Sequence, residues 1–351
     1  MKNDGLFIPS SVVLELTYKC NHNCLFCSCP WESTDKEKEK YKKGKELSFE
    51  QWKQIIDRLQ ELGVKNISVS GGECLMKEGL LQIIDYIRKK KCFNLNSDIV
   101  LISNGRLMNK EYLQAFKHYG IHLSMSLPGI KSFEFLTGVD NAGGVLYWFQ
   151  EAKKNEIHTT CNITVTKKNF SELYETIANA LIYGAETILL NRFLIGGRGL
   201  DYIDDLSINN EQINQMLDIA EALLEKTSRY GSVGTEIPLC IIKNKEKYKH
   251  LKIGSICSAA KDFFVIDPSG IVRTCNHSPK KVGYIFDKEI IKDKKYWQKF
   301  QTRAYIPQTC VKCYNVNQCD CGCREVAYIL YKNNNALDFC LQNNNENLKN
   351  R

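Results

Sequence analysis

From Ser11 to Asn191, six short runs rich in β-branched residues alternate with five amphipathic stretches, and nothing else limits the fold as much. The strand-like runs are Ser11–Thr17, Asn66–Ser70, Asp98–Ser103, Ile121–Leu127, His158–Thr164 and Glu186–Asn191. Between them lie Ser48–Leu62, Glu78–Lys90, Asn109–Tyr119, Val145–Asn155 and Phe170–Tyr183, each with apolar residues at helical spacing. In the first, Trp52, Ile55, Ile56, Leu59 and Leu62 form one face, and Ser48 and Asn109 have the chemistry of helix N-caps. Strict strand–helix alternation predicts a parallel sheet with right-handed crossovers. The stretch suits a curved open sheet or partial barrel, since a closed eightfold barrel typically takes about 250 residues.

In such sheets reactive groups gather at the C-terminal strand ends. There this chain places Cys20–Cys27, then Gly71-Gly72-Glu73, Asn104 and Ser126. A further helix is predicted at Asn209–Glu225. From Pro238 onward cysteines are dense and regular elements short, with a hairpin expected from Phe263–Ile266 and Ile271–Thr274 through Asp267-Pro268-Ser269-Gly270. The expected division is a barrel at 1–205, a helical linker at 206–237, a cysteine-rich domain at 238–343 and a flexible tail at 344–351.

Sixteen cysteines in 351 residues exceed what packing requires. The sequence has neither a secretory signal nor an apolar run of 18 residues, so a cytoplasmic protein without membrane association is expected. In a reducing compartment clustered cysteines point to metal rather than disulfides. The net charge of +8 comes from scattered lysines, and aromatic residues do not interleave with a basic face. No nucleic-acid partner is expected. The mixed-charge run Asp35–Lys45 reads as a solvated loop.

Cys20-Asn-His-Asn-Cys24-Leu-Phe-Cys27 has the spacing C-x3-C-x2-C. Three thiolates on one loop hold three corners of an iron–sulfur cubane and leave the fourth iron for a small molecule, as an open position does on catalytic zinc. A zinc knuckle using His22 or Cys29 competes with that reading. Gly71-Gly72-Glu73 weighs against it: two glycines allow close backbone approach, and a carboxylate meets an ammonium group.

These residues resemble the radical SAM superfamily. The resemblance implies a partial (β/α)6 TIM-like barrel and a 4Fe-4S cluster on Cys20, Cys24 and Cys27 that chelates S-adenosylmethionine. It places Phe26 by the adenine and Gly71, Gly72 and Glu73 at the methionine amino group, with Asn104 and Ser126 contacting ribose or carboxylate. The activity implied is reductive cleavage to a 5′-deoxyadenosyl radical that abstracts a substrate hydrogen.

The C-terminal cysteines read Cys257-x12-Gly270-x4-Cys275, Cys310-x2-Cys313-x5-Cys319-x3-Cys323, then Cys340. Zinc would take four of them, but seven or eight ligands exceed one site. The pattern closely resembles the SPASM domain, a small α+β module with two auxiliary clusters, giving three 4Fe-4S clusters in all. By that resemblance Cys310, Cys313, Cys319 and Cys340 hold the distal cluster, and Cys257, Cys275 and Cys323 the one nearer the active site. The nearer set is one ligand short. Cys240 is the first candidate for the vacancy, Cys321 the second, and an open iron the third.

Family resemblance implies a peptide substrate, modified by cross-linking, thioether formation or epimerisation in ribosomal peptide maturation. It also implies an electron donor such as flavodoxin or ferredoxin. Only ten residues precede the first strand, so a leader peptide is expected to be gripped by a separate leader-binding protein or by this chain itself. The lysine-rich insert Trp31–Lys45 lies beside the expected active-site mouth. Asn276 follows Cys275 where the sulfatase-maturing group carries an aspartate, and an amide cannot serve as a base. A small-molecule dehydrogenase or sulfatase-maturase-like enzyme is the alternative. A non-catalytic iron–sulfur or zinc protein comes third.

Overall fold

A computed structural model describes residues 6–29, 45–93 and 98–342. Most of the lysine-rich insert and the 344–351 tail lie outside the described residues.

Six parallel strands form as the alternation predicts: β1 (Ser11–Glu15), β2 (Asn66–Ser70), β3 (Ile99–Ser103), β4 (Ile121–Ser126), β5 (Thr159–Val165) and β6 (Thr187–Arg192). The crossover helices are α1 (Phe49–Glu61), α2 (Leu80–Arg88), α3 (Lys110–His118), α4 (Phe133–Thr137), α5 (Ala142–Lys154) and α6 (Leu173–Tyr183). Helix α1 begins as expected, because the Ser48 hydroxyl accepts from Gln51 N and the Gln51 side chain returns to Ser48 N. Its apolar face, Trp52, Ile55, Ile56 and Leu59, is completely buried against the sheet. The Asn109 side chain likewise accepts from Tyr112 N at 2.8 Å. The short helix α4 has too few residues to show a period and was not legible.

The sheet does not stop at six strands. Helix α7 (Ile203–Leu206) leads to α8 (Asn210–Thr227), which packs on α6, and strands β7 (Tyr230–Val233) and β8 (Leu251–Ile253) continue the parallel sheet beyond β6. At the opposite edge the expected hairpin, β9 (Phe263–Ile266) and β10 (Ile271–Arg273), adds to the sheet, with β9 parallel to β1. Strand β11 (Gly283–Tyr284) completes the order β11-β10-β9-β1-β2-β3-β4-β5-β6-β7-β8. The hairpin turns because the Asp267 side chain accepts from Ser269 N and Ile271 N while Gly270 takes φ +89°. The cysteine-rich segment is thus hydrogen-bonded directly to the first barrel strand. A buried ion pair between Glu15 on β1 and Arg273 on β10 locks the two together. Helix α9 (Lys294–Gln301) packs Trp297 against Phe264 of β9, whereas α10 (Arg324–Tyr331) and α11 (Phe339–Gln342) place Val326 and Phe339 in a second small core with Phe193 and Ile195 beyond β6.

Candidate active site

Cys20, Cys24 and Cys27 sit on the loop after β1, and three other segments seat that loop. The first is the end of β2. Gly72 N donates to Thr17 O at 2.7 Å and Glu73 N to Lys19 O at 2.8 Å. A Cβ on Gly71 would come within 2.4 Å of Thr17 O, and one on Gly72 within 2.3 Å of Lys19 O. The close approach that the two glycines permit is therefore to the root of the cysteine loop. The second segment is α4, whose last turn accepts Asn23 N and Leu25 N through Thr137 O and Leu136 O. The third follows β6, where Arg198 donates to Cys24 O and Gly197 abuts the Cys27–Cys29 backbone too closely for any Cβ. Gly197 and Arg198 went unread in the sequence, because contact with the cysteine loop needs the barrel to curl.

Glu73 is 1% exposed. Its carboxylate receives Leu75 N at 3.0 Å, the Ser103 hydroxyl at 2.8 Å and Asn104 N at 2.7 Å. Burial raises its pKa, and those donors work against the shift. The side chain thus ties the end of β2 to the turn after β3. Asn104 carries the tie onward, its Nδ2 donating to Asn21 Oδ1 at 2.7 Å, while Arg106 donates to Asn21 O at 2.7 Å. His22 is 3% exposed, packs edge-on against Phe133, and is pushed down to about 4 by burial and by Arg106. It is a neutral packed ring in the wall of the loop.

Below this loop lies a chamber of about 1160 Å³. One wall carries Phe26, Cys27 and Gly71; another part of the lining carries Cys257, Cys275 and Cys323. Asn104 and Ser126, expected at the cofactor, are not among its lining residues, nor are Gly72 and Glu73. The chamber thus brings together one thiol of the first constellation and three of the second.

The second constellation hangs on two fully buried aspartates that sequence reading missed. Asp320 accepts Cys257 N at 2.7 Å, the Tyr305 hydroxyl at 2.9 Å and Lys261 Nζ at 3.0 Å. Asp338 accepts Cys323 N at 2.7 Å, Cys340 N at 3.0 Å and Arg192 at 2.6 Å. Burial works to raise both carboxylates, but their cationic partners and N–H donors hold them below the usual range. A buried aspartate with a structural duty looks the same in a sequence as a surface one, so no signal marked them.

Cys257, Cys275 and Cys323 lie close enough to one another for each to act electrostatically on the others. Cys240, the first candidate for the vacancy beside them, is elsewhere. It neighbours Cys310, Cys313, Cys319 and Cys340, the set expected to be distal. The cause is the 3-10 turn Leu239–Ile241, pinned to the distal loop by Leu239 N donating to Cys319 Sγ at 3.4 Å. Cys321 also joins that group, its N donating to Cys319 Sγ at 3.3 Å and its thiol to Cys319 O at 3.9 Å. The neighbouring Cys321, against burial, brings the Cys310 and Cys319 thiols below their ordinary value.

Among the described residues no three His, Cys, Asp or Glu side chains are drawn tightly enough to hold a single metal ion. Ligands of one zinc at about 2.3 Å lie within roughly 4 Å of each other. Ligands of a four-iron cubane sit on separate irons and stand further apart. All the cysteines of the three sets are free thiols, the donor type that usually ligates such clusters. Beside Cys20, the buried Asn21 Nδ2 has no hydrogen-bond partner.

Residues 14–180 match the family model of the radical SAM superfamily. They form a radical SAM domain. A domain of this family uses S-adenosylmethionine and a 4Fe-4S cluster. The chain is 24% identical over 350 residues to a PqqA peptide cyclase of Rhodopseudomonas palustris, covering 94% of this chain and 86% of that one. To the mycofactocin maturase MftC of Mycolicibacterium smegmatis it is 26% identical over 343 residues, covering 91% and 79%. Two solved structures share the fold. Streptococcus suis SuiB bound to precursor peptide SuiA has TM-score 0.71 at 14% identity, covering 97% of this chain and 77% of that one. The structure of anSMEcpe with bound AdoMet has TM-score 0.72 at 15% identity, covering 98% of both. The radical SAM domain therefore supplies the first wall of the chamber, and the cysteine-rich segment after it supplies the second.

Proposed function

We propose that this radical SAM enzyme modifies a peptide, and that the C-terminal cysteines hold two auxiliary 4Fe-4S clusters in a SPASM arrangement. In this reading the barrel occupies 1–205, a helical connection 206–237 and the auxiliary domain 238–343, and the protein works in the cytoplasm. The observation that carries the reading is the shared chamber. At about 1160 Å³ it is bounded by both cysteine constellations, so a substrate held beside the first set also meets the second. The relatives named as a peptide cyclase and a maturase, and the SuiB structure with its precursor peptide, support the same substrate class.

Cys20, Cys24 and Cys27 would hold the first cluster, beside which S-adenosylmethionine would bind. When bound, this pair supplies one-electron cleavage of the sulfonium C–S bond and so hydrogen-atom abstraction. The chain's own residues seat and enclose that chemistry. Phe26 offers an apolar ring beside the loop, Gly71 gives the chamber a backbone wall, and Glu73 fixes the strand end from behind. Cys257, Cys275 and Cys323 line the same space and would hold a cluster able to take up an electron from the substrate. Asn276, following Cys275, donates to Glu15 Oε1 at 3.1 Å and acts as a hydrogen-bond donor rather than a base. His277 is no substitute base: it is buried against Ile195 O and pushed down to about 4 by burial.

The experiment is isotopic. Peptides translated from the short reading frames flanking the gene, deuterated at Cα and in the side chains, are incubated anaerobically with reconstituted enzyme, dithionite and S-adenosylmethionine. Deuterium appearing in 5′-deoxyadenosine identifies a peptide as hydrogen donor. Cleavage without deuterium transfer from any of them favours the small-molecule reading.

A further inference from the structure

Away from the cysteines, the chamber has a polar wall that the chemistry above leaves unused. We propose that Asn162, Asn191 and Lys252 form a substrate subsite on it: the two carboxamides hold the backbone of one peptide residue, and Lys252 holds the carboxylate of an acidic side chain. The inference rests on the reading that the substrate is a peptide.

Strand register builds the wall. Ile163, Leu190, Val233 and Leu251 turn outward into the hydrophobic core, so the residues alternating with them turn inward. Asn162 pairs with Leu189, Leu189 with Ser232 and Ser232 with Lys252, which makes one row across β5, β6, β7 and β8. Asn191 stands one inward position above that row, and its Nδ2 donates to Asn162 Oδ1 at 2.8 Å. Asn162, Asn191, Ser232 and Lys252 all line the chamber.

That bond leaves Asn162 Nδ2 and Asn191 Oδ1 without a further protein partner among the described residues. One donor and one acceptor side by side match the C=O and N–H that a single residue of an extended chain presents on one edge. Turning both amides over gives the same complement. Gly234 keeps the acceptor open, since a Cβ there would lie 2.7 Å from Asn191 Oδ1.

The charge comes from Lys252. Arg192 also lines the chamber but is held by Asp338 at 2.6 Å, whereas no carboxylate among the described residues comes within ion-pair distance of Lys252. The lining carboxylates Glu15 and Glu325 are engaged by Arg273 and by the hydroxyls of Thr274 and Tyr296. A hydrogen bond from an ammonium to a carboxylate is roughly twice as strong as a neutral one, so an acidic residue is the side chain this wall selects. Strands β6 and β8 lie two spacings apart, about 10 Å, a gap that a glutamate leaving the asparagine pair and the lysine reaching back bridge together.

The probe is the flanking-frame peptide that delivers deuterium to 5′-deoxyadenosine, with versions carrying Gln for Glu or Asn for Asp at one position at a time. With the parent enzyme, one such version should show KM raised about tenfold or more, with kcat little changed. Lys252→Met should raise KM for the unaltered peptide by the same factor and add no penalty with that version, and Lys252→Arg should stay close to the parent. Lys252→Glu should regain turnover when the acidic residue of the peptide is replaced by lysine. Asn191→Leu and Gly234→Ala should raise KM for both peptides alike, because backbone contacts carry no sequence information. Anaerobic circular dichroism and the iron count establish that each variant is folded. The proposal is overturned if Lys252→Met leaves KM unchanged, if the enzyme and peptide penalties multiply independently, or if the donating peptide has no acidic residue. Failure of the underlying reading looks different: no peptide then delivers deuterium to 5′-deoxyadenosine, even with the parent enzyme.

Discussion

Replacing Asp338 with alanine removes the partner of a buried arginine and the acceptor of two cysteine N–H groups at once. Asp338 is fully buried and Arg192 is 5% exposed, joined at 2.6 Å. Deleting one member of a buried ion pair costs about 3–5 kcal/mol, because the remaining charge is left without compensation. The Cys323 and Cys340 N–H groups lose their acceptor as well, each worth about 1–3 kcal/mol when buried and unsatisfied. These terms overlap and do not simply add. A loss of about 4 kcal/mol or more is expected, against a total stability of about 5–15 kcal/mol. Anaerobic urea unfolding followed by circular dichroism measures it. The double variant Arg192→Met/Asp338→Leu should recover much of the loss, since an apolar pair of similar volume avoids the desolvation cost. The reasoning is refuted if Asp338→Ala unfolds within about 1 kcal/mol of the parent, or if the double variant is no milder than the single.

Gly72→Ala should unseat the cysteine loop, since its Cβ would lie 2.3 Å from Lys19 O and 2.7 Å from Tyr18 O; reconstitution should then lose about four irons, those of the first cluster, while the auxiliary set remains. Glu172 accepts Ile130 N, Lys131 N and Ser132 N, and although burial pushes its pKa up, these donors and the Ser132 hydroxyl bring it below the usual value. Its contribution is present above the ordinary glutamate value of 4.5 and lost as pH falls through the depressed one. Glu172→Gln should therefore flatten the acid side of the stability–pH curve, as thermal melts across pH will show. Cys240→Ser should disturb only the EPR signal of the distal cluster, because Cys240 neighbours Cys310, Cys313, Cys319 and Cys340.

The six barrel strands were legible because β-branched runs such as Asn66–Ser70 and Ile99–Ser103 are bounded by polar turns, and their limits differ from expectation by only a residue or two. Strands β7 and β8 were not. Tyr-Gly-Ser-Val and Leu-Lys-Ile are too short and too mixed to carry a period, and they become strands only because β6 leaves an edge to pair with. At the site, spacing identified the cysteines but could not sort them in space. Cys240 lies seventeen positions before Cys257 in the chain, yet its turn is tied to Cys319. The reading of Glu73 also changed. An acidic strand end fits an ammonium partner, but only the structure shows that carboxylate already engaged by Leu75, Ser103 and Asn104.

The central claim is that Cys20, Cys24 and Cys27 carry the cluster that cleaves S-adenosylmethionine, and the direct measurement is 5′-deoxyadenosine formed under dithionite by the parent and by Cys24→Ala. Product is expected from the parent and none from the variant, whose auxiliary iron, about eight per chain, is retained. Equal cleavage by both, or zinc in place of iron with no cleavage by either, would contradict it.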